Sequence, residues 1–135
     1  MTTTRMTFLR RILLLDAAVS GLTGIGLALF AGPLAALLDL PVDLLRYAGL
    51  ALLPFAAGVA WLGAMPVPAA GAVRLVLAIN LLWAVDSLAI IALGWVTPNG
   101  PGVAFIAMQA VAVAALGGLQ YLGLRRGAPR IQAPA

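Results

Sequence analysis

The chain has 135 residues, of which 64% are hydrophobic and only 9% are charged, and its formal net charge is +4. A soluble domain usually carries about 25% charged residues, and a chain this short cannot hide so much apolar surface from water. All basic residues are arginine, all acidic residues are aspartate, and cysteine and histidine are absent. These absences exclude a disulfide framework, cysteine-ligated metals and the usual haem and His–metal chemistry. We therefore expect an integral membrane protein with no metal, no cofactor, no catalytic residues and no nucleic acid partner.

Four apolar runs are long enough to cross a bilayer, for which a helix needs about 20 mostly apolar residues. They cover residues 11–31, 44–64, 71–96 and 102–124. The first is predicted to be an uncleaved span that stops at Gly32-Pro33, since its apolar core is longer than that of a signal peptide. The second is predicted to begin after Asp43, which is well placed as an N-cap.

The segments outside these runs are short. Residues 33–40 (PLAALLDL) are amphipathic, and we expect them to form a turn of helix on the outer surface. Pro54 interrupts the second run and predicts a tolerated kink, with a bend that opens a cavity as the alternative. We expect residues 1–127 to form one four-span domain and residues 128–135 to be a disordered cytoplasmic tail.

The arginines are distributed unevenly between the two sides of this arrangement. With four spans threaded, Arg46 falls on one side, and the opposite side carries Arg5, Arg10, Arg11, Arg74, Arg125, Arg126 and Arg130. The positive-inside rule assigns the arginine-rich side to the cytoplasm, where anionic lipids would be its partners. We therefore predict an all-α, antiparallel four-helix bundle in a bacterial inner membrane, with both termini cytoplasmic.

A few polar side chains fall inside the apolar runs, and such groups tend to face the interior of a bundle. From a rise of about 1.5 Å per residue, Asp16 and Gln120 are predicted at similar depths near the cytoplasm, together with Asn80. Asp16, Ser20 and Thr23 are spaced i, i+4 and i+7, so they form one stripe on the first helix. The predicted cytoplasmic-side polar layer therefore contains Asp16, Ser20, Thr23 and Gln120, with Asn80 meeting it from the third helix.

The third run also carries Asp86, which is predicted close to the bilayer midplane. Gln109 of the fourth run is its expected neighbour, and no arginine lies at its depth. A carboxyl group that gains and loses a proton at such a depth is typical of proton-coupled or cation-binding sites. The candidate intramembrane site therefore contains Asp86, Gln109, Asn80, Ser87 and Trp83.

Structural roles are the alternative for these residues, because hydrogen bonds between helices specify packing. In that interpretation Asp86 is a protonated hydrogen-bond donor and most of the other groups hold the helices together. Gln120 would then be interfacial, and Asp16 would reach the headgroups or pair with an arginine.

Two weaker patterns concern packing and symmetry. Small residues four apart, such as Ser20 and Gly24, favour close helix contacts. An offset of 64 residues aligns Asp16 with Asn80 and Thr23 with Ser87, as a duplicated helical hairpin would. That match covers only a few positions.

The segments LLLDAAVSGLTG and INLLWAVDSL each carry an aspartate inside an apolar run. With the chain length and the arginines before the first and third runs, they resemble the small four-helix bacterial inner-membrane proteins of the DoxX-like kind and related families. The resemblance implies a four-helix membrane fold. It assigns no functional residues.

Three functions compete at this point. The first is a non-enzymatic accessory protein, either a homo-oligomer or a subunit of a larger membrane complex. The second is a small proton- or cation-coupled transporter that uses an intramembrane aspartate, and the third is an intramembrane enzyme or lipid binder. A filled core would favour the first, whereas a pocket around Trp83 and Asp86 would favour the others.

Overall fold

The computed structural model describes residues 2–127, with side chains described from Thr7 to Arg126. These residues form five helices and no strand: α1 (Thr2–Leu29), α2 (Ala31–Leu38), α3 (Val42–Ala64), α4 (Ala70–Ala92) and α5 (Gly100–Gly127). Four helices are long and apolar enough to span a membrane. The all-helical class and four helices long enough to be the predicted spans are therefore confirmed, as is a short helix after the first of them, although it covers 31–38 rather than 33–40. The predicted tail at 128–135 and the side chain of Arg5 lie outside the described parts.

Two helix starts differ from the prediction. Gly32-Pro33 does not end α1, which stops at Leu29; instead both residues lie in the first turn of α2. Proline is tolerated there because the first turn of a helix has no partner for its backbone N–H groups. Asp43 is not the N-cap of α3, because that position is Pro41 and Asp43 lies within the first turn. A carboxylate is still favourable there, since it interacts with the helix dipole.

The end of α4 also differs from the prediction. The helix stops at Ala92, four residues before the predicted end at 96, and Gly94 follows with a positive φ of 72°. Backbone N–H groups of Gly94 and Trp95 bond back to Ile91 and Ile90, which satisfies the last carbonyls. Glycine adopts this left-handed conformation at little cost, so it commonly ends helices.

The helices pack in a definite order. α1 packs most extensively against α3 and α4 against α5, while α1 also contacts α5 and α3 scarcely touches α4. Between α1 and α3 the facing residues follow opposite orders in sequence, with Gly24 against Gly49 and Leu13 against Gly63. Between α1 and α5 the same holds, since Gly123 faces Leu9 and Gln120 faces Asp16.

Two apolar clusters fill the ends of the bundle. One lies at what we call the arginine end, because the helix termini that meet there carry Arg10, Arg74 and Arg125; it contains Leu9, Leu13, Ala17, Val59, Leu62, Val73 and Val76. The other lies at the α2 end and contains Leu27, Ala31, Leu38, Leu40, Leu45 and Ile106.

The side chain of Asn99 forms hydrogen bonds with both α2 and the start of α5. Its side-chain oxygen accepts a hydrogen bond from the Gly102 backbone N–H at 2.8 Å, which makes Asn99 the N-cap of α5. Its side-chain nitrogen donates to the Leu37 carbonyl at 2.9 Å. One side chain therefore caps one helix and holds the end of another against it.

α1 and α3 approach each other closely at Gly24 and Gly49. A Cβ atom on Gly49 would lie 2.6 Å from the backbone nitrogen of Ala28 and 2.8 Å from the Cβ of Leu27. Neither partner can move without displacing α1. The spacing of small residues in the sequence points to Gly24 but not to Gly49.

We predict that Gly49→Ala lowers the free energy of unfolding by about 1–3 kcal/mol, the usual cost of overpacking. Gly26→Ala is the matched control, because no atom lies within 4 Å of a Cβ built there. The control should be neutral or stabilising by up to about 1 kcal/mol through helix propensity. Detergent-titrated unfolding in mixed micelles measures both, and equal stability of the two variants would contradict the packing described.

Candidate functional site

A buried polar cluster joins three helices around the carboxylate of Asp16. Asp16 Oδ2 accepts hydrogen bonds from Asn80 Nδ2 at 2.7 Å and from Gln120 Nε2 at 2.6 Å. Asp16 Oδ1 accepts one from Ser20 Oγ at 3.0 Å, and Asn80 Nδ2 also donates to Gln120 Oε1 at 3.2 Å. The cluster thus connects α1, α4 and α5 through side chains, although α1 and α4 make no close backbone contact.

The cluster is closed to its surroundings. Asp16 and Gln120 are fully buried, and Asn80 and Ser20 are nearly so. Within the described residues no buried side-chain polar atom lacks a hydrogen-bond partner. The expectations of an interfacial Gln120, and of an Asp16 that reaches headgroups or an arginine, are therefore wrong.

Two residues of the cluster, Asp16 and Asn80, lie nearer the midpoints of their helices than expected. Asp16 and Asn80 are within about 3 Å, measured along the helix axis, of the midpoints of α4 and of the span Thr7–Leu29. The reason is that α1 begins before Arg11, which therefore does not mark the edge of the span, and that α4 ends at Ala92 rather than at residue 96. Asp86, by contrast, lies about 7 Å from the midpoint of α4, toward the α2 end.

A cleft opens at the α2 end, where α3 and α4 diverge. Its volume is about 250 Å³, and it is lined by Thr23, Leu27, Leu40, Leu44, Leu45, Ala48, Leu52, Trp83, Asp86, Ser87, Ile90, Phe105, Ile106 and Gln109. The walls are mostly aliphatic, and the polar groups come from α1, α4 and α5. A cavity of this kind is the usual place for a small-molecule site.

Hydrogen bonds hold the indole ring of Trp83, which lines the cleft, in place. Trp83 Nε1 donates to Gln109 Oε1 at 3.0 Å, and Gln109 Nε2 donates to the Ile106 carbonyl at 3.1 Å. Ser87 Oγ donates to the Trp83 carbonyl at 2.6 Å, one turn back along α4. Gln109 is therefore the partner of Trp83. The predicted pairing of Gln109 with Asp86 is wrong.

Asp86 is exposed at the cleft and has a different environment from Asp16. No hydrogen bond or ion pair to Asp86 occurs within the part of the chain that the structure describes. It is the one charged residue among those that line the cleft. The two intramembrane carboxyl groups are thus distinct, since one is enclosed by donors and the other faces an open space.

The structure separates the sequence-predicted residues into these two places. Asp16, Ser20, Asn80 and Gln120 meet in the buried cluster, whereas Thr23 lines the cleft. The predicted intramembrane site keeps Trp83, Asp86, Ser87 and Gln109 and loses Asn80. The residues that the 64-residue offset aligns also lie together in the structure. Asp16 accepts a hydrogen bond from Asn80, and Thr23 and Ser87 both line the cleft.

The apolar wall that α3 contributes to the cleft is not predicted from the sequence. Leu44, Ala48 and Leu52 are spaced four apart and therefore lie on one helix face, which is the only signal that could have pointed to it. In a chain so rich in leucine and alanine, this spacing recurs in every helix.

The arginine end combines engaged and exposed guanidinium groups. Arg10 Nε donates to the Gly63 carbonyl at 3.1 Å, and Arg125 and Arg126 lie over the rings of Tyr121 and Phe8 at 5.8 and 5.5 Å. Such contacts stabilise a cation beside an aromatic face. They tie the arginine side chains to the ends of α1, α3 and α5.

Comparison with protein-family models, with characterised proteins and with solved structures finds no match to this chain. Among the described residues no group of three or more His, Cys, Asp or Glu side chains is placed to hold a metal ion. The interpretation of the cleft therefore depends on its own geometry.

We predict that the two aspartates differ in their contribution to stability. Asp16→Ala removes three accepted hydrogen bonds, and bonds between membrane helices contribute about 0.6 kcal/mol on average and about 1.7 at most. The loss in free energy of unfolding should therefore be about 2 kcal/mol. Asp86→Ala has no hydrogen bond to remove and should change stability by less than about 0.5 kcal/mol. Unfolding titrations in the same mixed micelles compare the two, and an equal or larger loss for Asp86→Ala would refute the assignment.

Proposed function

We propose that this chain is a small, non-enzymatic, multi-pass membrane protein that binds a small molecule in the cleft beside Trp83 and Asp86. The observation that carries the proposal is an open cavity of about 250 Å³ with a carboxyl group that has no partner among the described residues. A carboxyl group at the centre of a spanning helix costs about 2.5–3.5 kcal/mol on insertion scales, and a position part-way along the helix still carries a cost. Such a cost favours a functional role at a position where no structural bond explains it.

The buried cluster has the structural role in this proposal. Its donors and acceptors satisfy one another, so no atom of Asp16 remains for a ligand. Asp86 and the hydrogen-bonded pair of Trp83 and Gln109 form the binding site. The chain has no cysteine, histidine, lysine or glutamate, and acid–base chemistry generally needs a second positioned group.

The membrane arrangement is part of the same proposal. The four spans form one antiparallel bundle in a bacterial inner membrane, with both termini and the arginine end in the cytoplasm. Support comes from the opposite sequence order of facing residues and from the positive-inside rule. Anionic lipids would meet the exposed Arg11 and Arg74 at that face. Membership of the DoxX-like group of small membrane proteins is part of this proposal as well.

Reporter fusions test the orientation. A reporter fused after Gly127 or inserted between Met65 and Pro66 should report a cytoplasmic location, and one inserted near Asn99 a periplasmic one. Cytoplasmic and periplasmic reporters used in parallel provide the control at each site. A periplasmic C-terminus would contradict the four-span arrangement.

Filling the cleft tests the binding function. Ala48 lines the cavity from α3, so Ala48→Phe should occupy it and displace the guest. Ala51→Phe is the matched control, because Ala51 is exposed on the same helix and does not line the cleft. Small molecules that co-purify from native membrane, identified by mass spectrometry, should be retained by the wild type and the control. Ala48→Phe should lose them, and identical sets in all three proteins would overturn the binding proposal.

A coupled transporter is the second candidate, and the exposed carboxyl group of Asp86 in the cleft is the observation that favours it. The transporter differs from a simple binding protein in one measurable respect. Its guest or ion must exchange with a proton at Asp86, so guest binding in weakly buffered solution would change the pH, and Asp86→Asn would abolish that change.

An accessory role in a larger complex is compatible with the binding proposal. Large apolar side chains such as Leu22, Leu29 and Met108 are 73%, 72% and 69% exposed, which suits contact with lipid, a second copy or another subunit. The same native-membrane purification would identify protein partners.

A further inference from the structure

We propose that the guest of the cleft is a small organic monocation with one aromatic or branched aliphatic group, bound with its charge at Asp86. This inference rests on the proposed binding function and specifies its ligand. It follows from the charge, the hydrogen-bonding state and the volume of the cleft.

The charge of the lining favours a cation. Asp86 is the single ionisable residue among the fourteen that line the cleft, and none of the others can neutralise it. Arg46 follows Leu45 in sequence but does not line the cleft. A charge that is partly removed from water interacts strongly with an opposite charge, because the local dielectric constant is low. A monocation therefore supplies the positive charge that no residue of the lining provides beside Asp86.

Three of the four side-chain donors that line the cleft are already engaged, Thr23 being the exception, and this disfavours anions and neutral acceptors. Trp83, Ser87 and Gln109 each donate a hydrogen bond within the protein. An anionic guest would meet the Asp86 carboxyl group and find few free donors. The polar part of the site thus offers negative charge rather than hydrogen-bond donors.

Trp83 adds a second element of cation recognition. It precedes Asp86 by three residues, so both side chains lie on neighbouring positions of one helix face. An indole ring attracts a cation at its face, and the hydrogen bond to Gln109 fixes the ring by its edge. The carboxyl group and the indole are therefore available to the same bound charge.

The volume limits the rest of the guest. An apolar cavity of about 150 Å³ admits benzene, and sites for drug-sized ligands occupy about 300–1,000 Å³. The cleft, at about 250 Å³, lies between these values. Its apolar walls from α3 and α5 accept one ring or branched chain in addition to a compact cationic head.

Phenyltrimethylammonium and tert-butylbenzene provide a matched pair of probes, because they have the same shape and differ in the charged nitrogen. The protein is placed at one copy per nanodisc in zwitterionic lipid, which does not concentrate cations. Trp61→Phe and Trp95→Phe, at exposed positions (69% and 74%), leave Trp83 as the single indole. Its ¹⁵N–¹H resonance then reports directly on the cleft.

We expect phenyltrimethylammonium to shift the Trp83 resonance saturably. Asp86→Asn should weaken this binding by at least about tenfold, since removal of a partly desolvated charge partner costs more than 1.4 kcal/mol. The neutral isostere should bind the wild type at least about tenfold more weakly than the cation, and its affinity should not change in Asp86→Asn. Ala48→Phe should abolish both shifts and Ala51→Phe neither.

Equal affinity for the two probes, or an Asp86→Asn variant that binds the cation as well as the wild type, would overturn the cation inference and leave cleft binding intact. No shift with either probe would also overturn it, and the co-purification experiment would then decide the binding function separately. A shift that appears without a probe when two copies share a nanodisc would identify a second copy as the occupant, which also overturns the inference.

Discussion

The fold depends on the need to satisfy one carboxylate that is fully buried inside a mostly apolar bundle. Asp16 obtains three donors from its own helix, from α4 and from α5. A polar group in lipid must find its partners within the protein, so α4 and α5 have to hold Asn80 and Gln120 at the level of Asp16. The apolar cluster at the arginine end provides burial but no comparable directional constraint, because packing of aliphatic side chains against lipid or against each other differs little.

The cleft follows from the way the remaining contacts are distributed. α1 is joined to α3 through Gly24 and Gly49, and α4 is joined to α5 and to the cluster. α3 and α4 therefore belong to different helix pairs, and they converge only near the short connection between them. At the α2 end no hydrogen bond among the described residues joins α3 to α4, while Asn99 and α2 secure α1, α3 and α5 there. The space between the pairs becomes the cavity that Asp86 faces.

Sequence reasoning predicted the helices and one of the two polar sites, for identifiable reasons. Hydropathy determines which segments are apolar enough to span, and the depths of Asp16, Asn80 and Gln120 follow from a uniform rise per residue, so their meeting could be predicted. The end of α4 at Ala92 could not, because it depends on the conformation of Gly94. The pairing of Gln109 with Trp83 instead of Asp86 depends on how far α4 and α5 are rotated about their axes. The sequence does not reveal this rotation, because the apolar faces of these helices are similar. Gly49 and the α3 wall of the cleft were missed for the same reason, since alanine, glycine and leucine occur on every face.

The positions of the two polar sites limit what the cleft can do. Thr23 lines the cleft, and Ser20, about one turn away on α1, belongs to the closed cluster. On α4, Trp83 and Ser87 line the cleft, and Asn80, about one turn before Trp83, belongs to the cluster. Below the cluster the apolar residues at the arginine end fill the bundle. The cleft therefore ends at the cluster and does not continue across the described bundle, which suits the proposed binding site, open at the α2 end, rather than a pore. Carriage of a guest to the other side would require the hydrogen bonds of Asp16 to Asn80 and Gln120 to break. At about 0.6 kcal/mol each on average, these bonds are weak enough to exchange but sufficient to keep the closed arrangement dominant.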